Sequence, residues 1–139
     1  MEGVVTSERV TATRVVASTL GVLVGLAGIE HGILEVLQGN VRPDGLMIEA
    51  IGPDQIIWEH ASEPALTVVP NMLASGILSI IFGLLLIIWS IGFVDRKYGA
   101  WVLLLLSFIL WLVGGGFAPI FFSLFAFATA TRIGKPLTW

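Results

Sequence analysis

Two histidines, each set between glutamates, are the side chains whose types and spacing could do chemistry: Glu30-His31-Gly32-Ile33-Leu34-Glu35 and Glu59-His60-Ala61-Ser62-Glu63. On a helix, His31 and Glu35 stand one turn apart on the same face, and so would His60 and Glu63 if their segment is helical. An imidazole beside carboxylates changes charge near neutral pH and can relay protons. The same nitrogen and oxygen donors suit Zn²⁺, Mn²⁺ or Fe²⁺. His31, Glu35, His60 and Glu63, with Glu30 and Glu59 beside them, are therefore candidates for an ion, proton or solute site. The first four are the candidate ligands if a divalent metal is bound; no other cofactor is expected. The pattern lacks both the two-histidine helical zinc signature and the paired Glu-x-x-His arrangement of di-iron bundles. The plainest reading has His31 hydrogen-bonded to Glu35, with the loop acids in water.

Composition narrows the chemistry further. The 139 residues contain no cysteine, which removes disulfides, thiolate metal sites and thiol redox catalysis. Seven Lys and Arg in the whole chain, without a cluster, argue against nucleic acid as a partner. There is no serine–histidine–acid set and no phosphate loop, so the chain is expected to be non-enzymatic, with a metal-binding membrane enzyme as the last of three readings. With 56% hydrophobic and 12% charged residues and a mean hydropathy of +0.95, the chain cannot cover its surface with polar groups. Lipid must serve as part of its solvent.

The elements that position the two clusters follow from hydropathy. The chain reads as a single all-α membrane domain of four transmembrane helices, with spans at about 14–38, 66–94, 99–114 and 118–133 joined by an outer loop at 38–64. Arg14 followed by Val15–Ile29 resembles a secretory signal, with Gly25-Leu26-Ala27 as a poor cleavage site. The helical pattern continues to Leu37, which favours an uncleaved helix. In the outer loop, Asn40–Gly45 reads as a turn, and Pro53-Asp54 opens a short helix with Ile56, Ile57, Trp58 and Ala61 on its apolar side. That helix is expected to lie in the interface, anchored by Trp58. Pro70 is expected in the first turn of the second span or at a kink near its entrance.

Four spans put Arg9, Arg14, Arg96, Lys97, Arg132 and Lys135 on one side and Arg42 alone on the other. The positive-inside rule then places both termini in the cytoplasm of a bacterial or archaeal plasma membrane. The acidic loop (Asp44, Glu49, Asp54, Glu59, Glu63) and both histidine clusters fall on the outer side.

Within the first span, Gly21, Gly25, Gly28 and Gly32 fall in an arc of about 60° at 100° per residue. This is a groove that admits a neighbouring backbone, as small-xxx-small interfaces do. Asn71, Ser75, Ser79 and Gly83 form a matching ridge on the second. His31 and Glu35 flank the groove, whereas Glu30 points away from it. Gly114-Gly115-Gly116 reads as a tight interhelical turn, and Phe117, Phe121 and Phe125 as a lipid-contacting stripe. The leading expectation is an accessory or packing subunit of a membrane complex, or a homo-oligomer, with lipid and other membrane chains or its own copies as partners. The alternative is a small transporter, or an ion- or proton-binding protein, using the His/Glu cluster.

Overall fold

The computed structural model describes residues 11–51 and 63–135. They form helices α1 (Ala12–Gln38), α2 (Met72–Gly92), α3 (Gly99–Leu112) and α4 (Ala118–Ala130), with strands β1 (Met47–Ile51) and β2 (Glu63–Leu66) between α1 and α2. The chain is mostly helical, as expected, but not all-α: the connection between α1 and α2 carries an antiparallel hairpin. The interfacial helix expected from Pro53 onward, with Glu59 and His60, lies outside the described residues.

Two helices, α1 with 27 residues and α2 with 21, are long and apolar enough to cross a membrane. At 1.5 Å per residue, the 14 residues of α3 and 13 of α4 span only about 20 Å, less than the roughly 30 Å of a hydrocarbon core.

α1 begins where Thr11 accepts a hydrogen bond from the Arg14 amide. It ends at Gly39, whose positive φ of 84° stops the helix. α2 starts later than hydropathy suggested. Asn71 is its N-cap, accepting from the Ala74 amide at 2.9 Å, and Pro70 lies outside the helix, contrary to the expectation. Pro70 disfavours helical geometry at Val69, and the preceding Thr67-Val68-Val69 are β-branched residues suited to extended chain. That extended stretch is spent on pairing. The Thr67 amide donates to the Leu46 carbonyl, the Val68 amide donates to the Leu112 carbonyl, and Thr67 forms an antiparallel bridge with Val113.

The hairpin pairs Met47 with Leu66, Ile48 with Ala65, Glu49 with Pro64 and Ile51 with Glu63, with an irregularity between Glu49 and Ile51. Ile48, Ala50 and Ala65 turn inward onto Met72. The Gln38 amide group donates to the carbonyls of Glu49 and Ala50, which fastens the hairpin to the end of α1.

α1 is the central helix, packed along α2 on one side and against α4 on the other. Its glycines set the spacing. A Cβ at Gly25 would stand 2.6 Å from the Gly83 carbonyl oxygen, and one at Gly83 2.7 Å from the Gly25 carbonyl oxygen. Gly32 and Gly76 oppose each other in the same reciprocal way. Gly28 instead makes room for Leu110 of α3, and Gly21 for Ser90 and Leu103. Of the ridge expected on α2, Ser79 and Gly83 line this seam. Asn71 caps the helix, bonding also to Asn40, and Ser75 turns toward Thr67 and Val113.

Candidate functional site

The C-terminal end of α1 brings His31, Gly32 and Glu35 beneath the hairpin and the α3–α4 turn. The sequence puts two ionisable groups on the helix face that becomes interior: His31 is 5% exposed and Glu35 0% exposed, while Glu30 faces outward. They do not pair with each other as the plainest reading expected. The His31 Nε2 lies 3.0 Å from Glu63 Oε2 on β2, while its Nδ1 is buried without a hydrogen-bond partner. The physical reason lies in the hairpin: β2 delivers Glu63 over the ring, and Glu35, one helical turn further on, is drawn under the α3–α4 turn.

That turn is built from Gly114 and Gly116, with φ of 104° and 82°, backbone that an L side chain rarely adopts. Both also touch the ionisable pair. A Cβ at Gly114 would collide with the Glu35 carboxyl, and one at Gly116 would lie 2.6 Å from His31 Nε2. Gly114-Gly115-Gly116 is therefore a lid that only bare backbone can form. Its amide at Gly115 donates back to the Leu110 carbonyl at 2.9 Å, closing α3.

Both Glu35 carboxyl oxygens are buried without a hydrogen-bond partner. The Ser75 hydroxyl lies against the carboxyl. It has one proton, however, and two other oxygens close by: Thr67 Oγ1 at 2.7 Å and the Val113 carbonyl at 2.8 Å. Ser79 donates to the same Val113 carbonyl at 2.8 Å. Thr67 Oγ1 also accepts from the Val69 amide at 3.1 Å. The result is a compact group of oxygens from α1, α2, the residues after β2 and the end of α3. No basic residue stands in the last turn of α3. Leaving an ionised carboxylate there uncompensated costs several kcal/mol, so the group has to be balanced by a proton, a cation or a rearranged hydroxyl.

His31 and Glu63 together supply two potential metal ligands. No group of three or more His, Cys, Asp or Glu converges among the described residues. Glu59 and His60, the remaining loop candidates, lie outside them. Thr67, Gly76, Gly114 and Gly116 belong to the site or its seam and were not singled out for it from sequence. The signal for Gly76 was present, since Gly76 and Gly83 are seven apart, as are Gly25 and Gly32.

At the opposite end of the bundle, Arg14 pairs with Asp95 at 3.4 Å, joining the start of α1 to the α2–α3 turn. Lys97 and Lys135 line one cleft there with Trp101. Phe121 and Phe125 of the aromatic stripe are exposed, and Phe117 packs edge-on against Trp111. No protein-family model, curated protein or solved structure matches this chain.

Proposed function

We propose that this chain is a non-enzymatic integral membrane protein whose four helices all lie in the bilayer, with the hairpin outside and both termini in the cytoplasm. The observation that carries this reading is the inside-out distribution of side chains. Ser75, Ser79, Ser90, Ser107 and Ser123 are at most 2% exposed, while Leu23, Leu26, Ile81, Leu84, Ile88, Leu105, Phe121 and Phe125 face outward. A soluble bundle reverses this order; a bundle solvated by lipid does not need large apolar residues inside. The orientation is supported by Arg14, Lys97 and Lys135 gathering at one end of the bundle, while Arg42 lies beyond α1 at the other.

The work of such a protein is packing with other membrane chains or its own copies. Helices α3 and α4 are shorter than the hydrocarbon core, and association is one way in which short helices relieve that mismatch. Because the natural chain has no cysteine, single cysteines report topology directly. An impermeant maleimide added to intact cells is expected to label Asp44→Cys, and to label Lys97→Cys only after permeabilisation. Equal labelling of both would sink the orientation. Mild-detergent extraction is expected to give a native mass above that of one chain.

A second reading, an ion- or proton-binding membrane protein, is favoured by one specific observation. Glu35 is fully buried, its two oxygens lack partners, and His31 stands one turn away in contact with the half-exposed Glu63. Ionisable groups within membrane segments commonly mark ion or proton pathways.

A further inference from the structure

The chemistry gathered around Glu35 is more specific than an ion-binding cluster in general. The Glu35 carboxyl lies against Ser75, and Ser75 gathers further oxygens behind it: Thr67 Oγ1 and the Val113 carbonyl, which also accepts from Ser79. Gly114, the residue after Val113, lies against the Glu35 carboxyl, since a Cβ there would collide with it, so the chain that carries the carbonyl passes beside the carboxylate. Oxygen-only sets select hard cations, where nitrogen or sulfur would draw a transition metal. The Val113 carbonyl also ends α3, so the negative end of that helix dipole faces the cluster. A single negative charge in a dry site is neutralised by a single positive one. A divalent ion would leave a net charge buried, which is expensive.

We propose that Glu35, with the Ser75, Ser79 and Thr67 hydroxyls and the Val113 carbonyl, forms a binding site for a monovalent alkali cation of the sodium class. This rests on the ion-binding reading above and names its ligand. The cation would take the place at Glu35 that no protein donor fills. It would also draw together α1, α2, the stretch after β2 and the end of α3, so that occupancy tightens the outer end of the bundle. His31 is not among the proposed donors: its Nε2 is directed at Glu63 and its Nδ1 makes no hydrogen bond to any group of the cluster.

The test uses the full chain purified in detergent without sodium. Sodium, lithium and potassium chlorides are titrated against choline chloride at constant ionic strength, reading melting temperature and binding of radioactive sodium. One alkali cation is expected to raise the melting temperature saturably by several degrees, as a ligand that binds only the folded state must, with a single saturable site per chain. Glu35→Gln is expected to remove both responses, while Glu30→Gln on the outward face keeps them. A folded Glu35→Gln that still responds overturns the proposal, as does a wild type indifferent to all three cations. If Glu35→Gln does not accumulate, Ser79→Ala decides: about tenfold weaker apparent affinity supports the site, and an unchanged response overturns it. Infrared spectroscopy separates this failure from failure of the ion-binding reading. A protonated-carboxyl band that Glu35→Gln abolishes and sodium leaves unmoved would rule out the cation and keep a proton site. No such band together with no cation response would end both.

Discussion

The two halves of the α1 seam use the same glycine spacing for different ends. Toward the Arg14 end, Gly21, Gly25 and Gly28 bring α1 against Ser90, Gly83 and Leu110, and the space beyond is filled by Ala17, Val24, Leu86 and Leu103. Ser107 and Ser123 return their protons to carbonyls of their own helices, while the buried Ser90 hydroxyl against Gly21 makes no hydrogen bond. Toward the hairpin, Gly32 meets Gly76 just as closely, yet the surroundings are His31, Glu35, Thr67, Ser75, Ser79 and a bare glycine turn. Close backbone packing is therefore common to both halves; the ionisable side chains are buried at the hairpin end, as His31 and Glu35, and part-exposed at the other, as Arg14 and Asp95. In lipid, where apolar side chains gain little from mutual contact, small residues supply cohesion. What is left polar beyond that requirement marks a site.

The largest effect should come from the shared part. Gly25→Leu drives a side chain into the Gly83 carbonyl and Ile87 and is expected to cost about 3 kcal/mol or more, read as loss of a monodisperse, heat-resistant species in detergent. If stability and mass are unchanged, the seam does not hold the bundle together. Gly116→Ala attacks only the outer half. The positive φ and the His31 contact predict a loss of about 2 kcal/mol, together with increased solvent accessibility of a cysteine placed at Glu35. Equal damage from a matched change at Gly134, which has positive φ of 71° but nothing near it, would remove the lid from the explanation.

Smaller still is the His31–Glu63 contact, because Glu63 is 48% exposed. A double-mutant cycle with His31→Asn and Glu63→Gln is expected to return about 0.5–1 kcal/mol of coupling, and zero coupling would detach the hairpin from the site. Arg14→Ala, breaking a partly exposed pair at the other end, should cost about 0.5 kcal/mol and less in high salt. A larger loss at Arg14 than at Gly116 would invert the contrast between the two ends.

How much of this was legible in the chain depends on the range of the interaction. The face of α1 that carries Gly25, Gly32, His31 and Glu35 follows from a period of 3.6, because the residues that define it are sequence neighbours. The start expected for α2 is too early because hydropathy does not distinguish an apolar strand end from an apolar helix. The evidence against a helix, Pro64, Pro70 and a run of β-branched residues, is a matter of backbone geometry. The hairpin shows inward Ile48 and Ala50 alternating with outward Met47 and Glu49, a pattern too short to stand out beside a 27-residue helix. Nothing local in the sequence could have joined His31 to Glu63, Glu35 to Gly114, or Ser75 and Ser79 to Val113. Those contacts exist only once the helices are side by side.

The Val113 carbonyl, which receives both serine hydroxyls, also sets an order of assembly. Synthesis runs from the N-terminus, so Ser75 and Ser79 are made before the residue that accepts their protons. Until α3 arrives, Ser79 has only the carbonyl one turn back along α2, and Ser75 has the equivalent carbonyl or Thr67 Oγ1. The α1–α2 seam can close early through glycine alone. The oxygen cluster at its hairpin end is completed only when Val113 arrives, making the most chemically distinctive part of the molecule a record that α3 has joined α1 and α2.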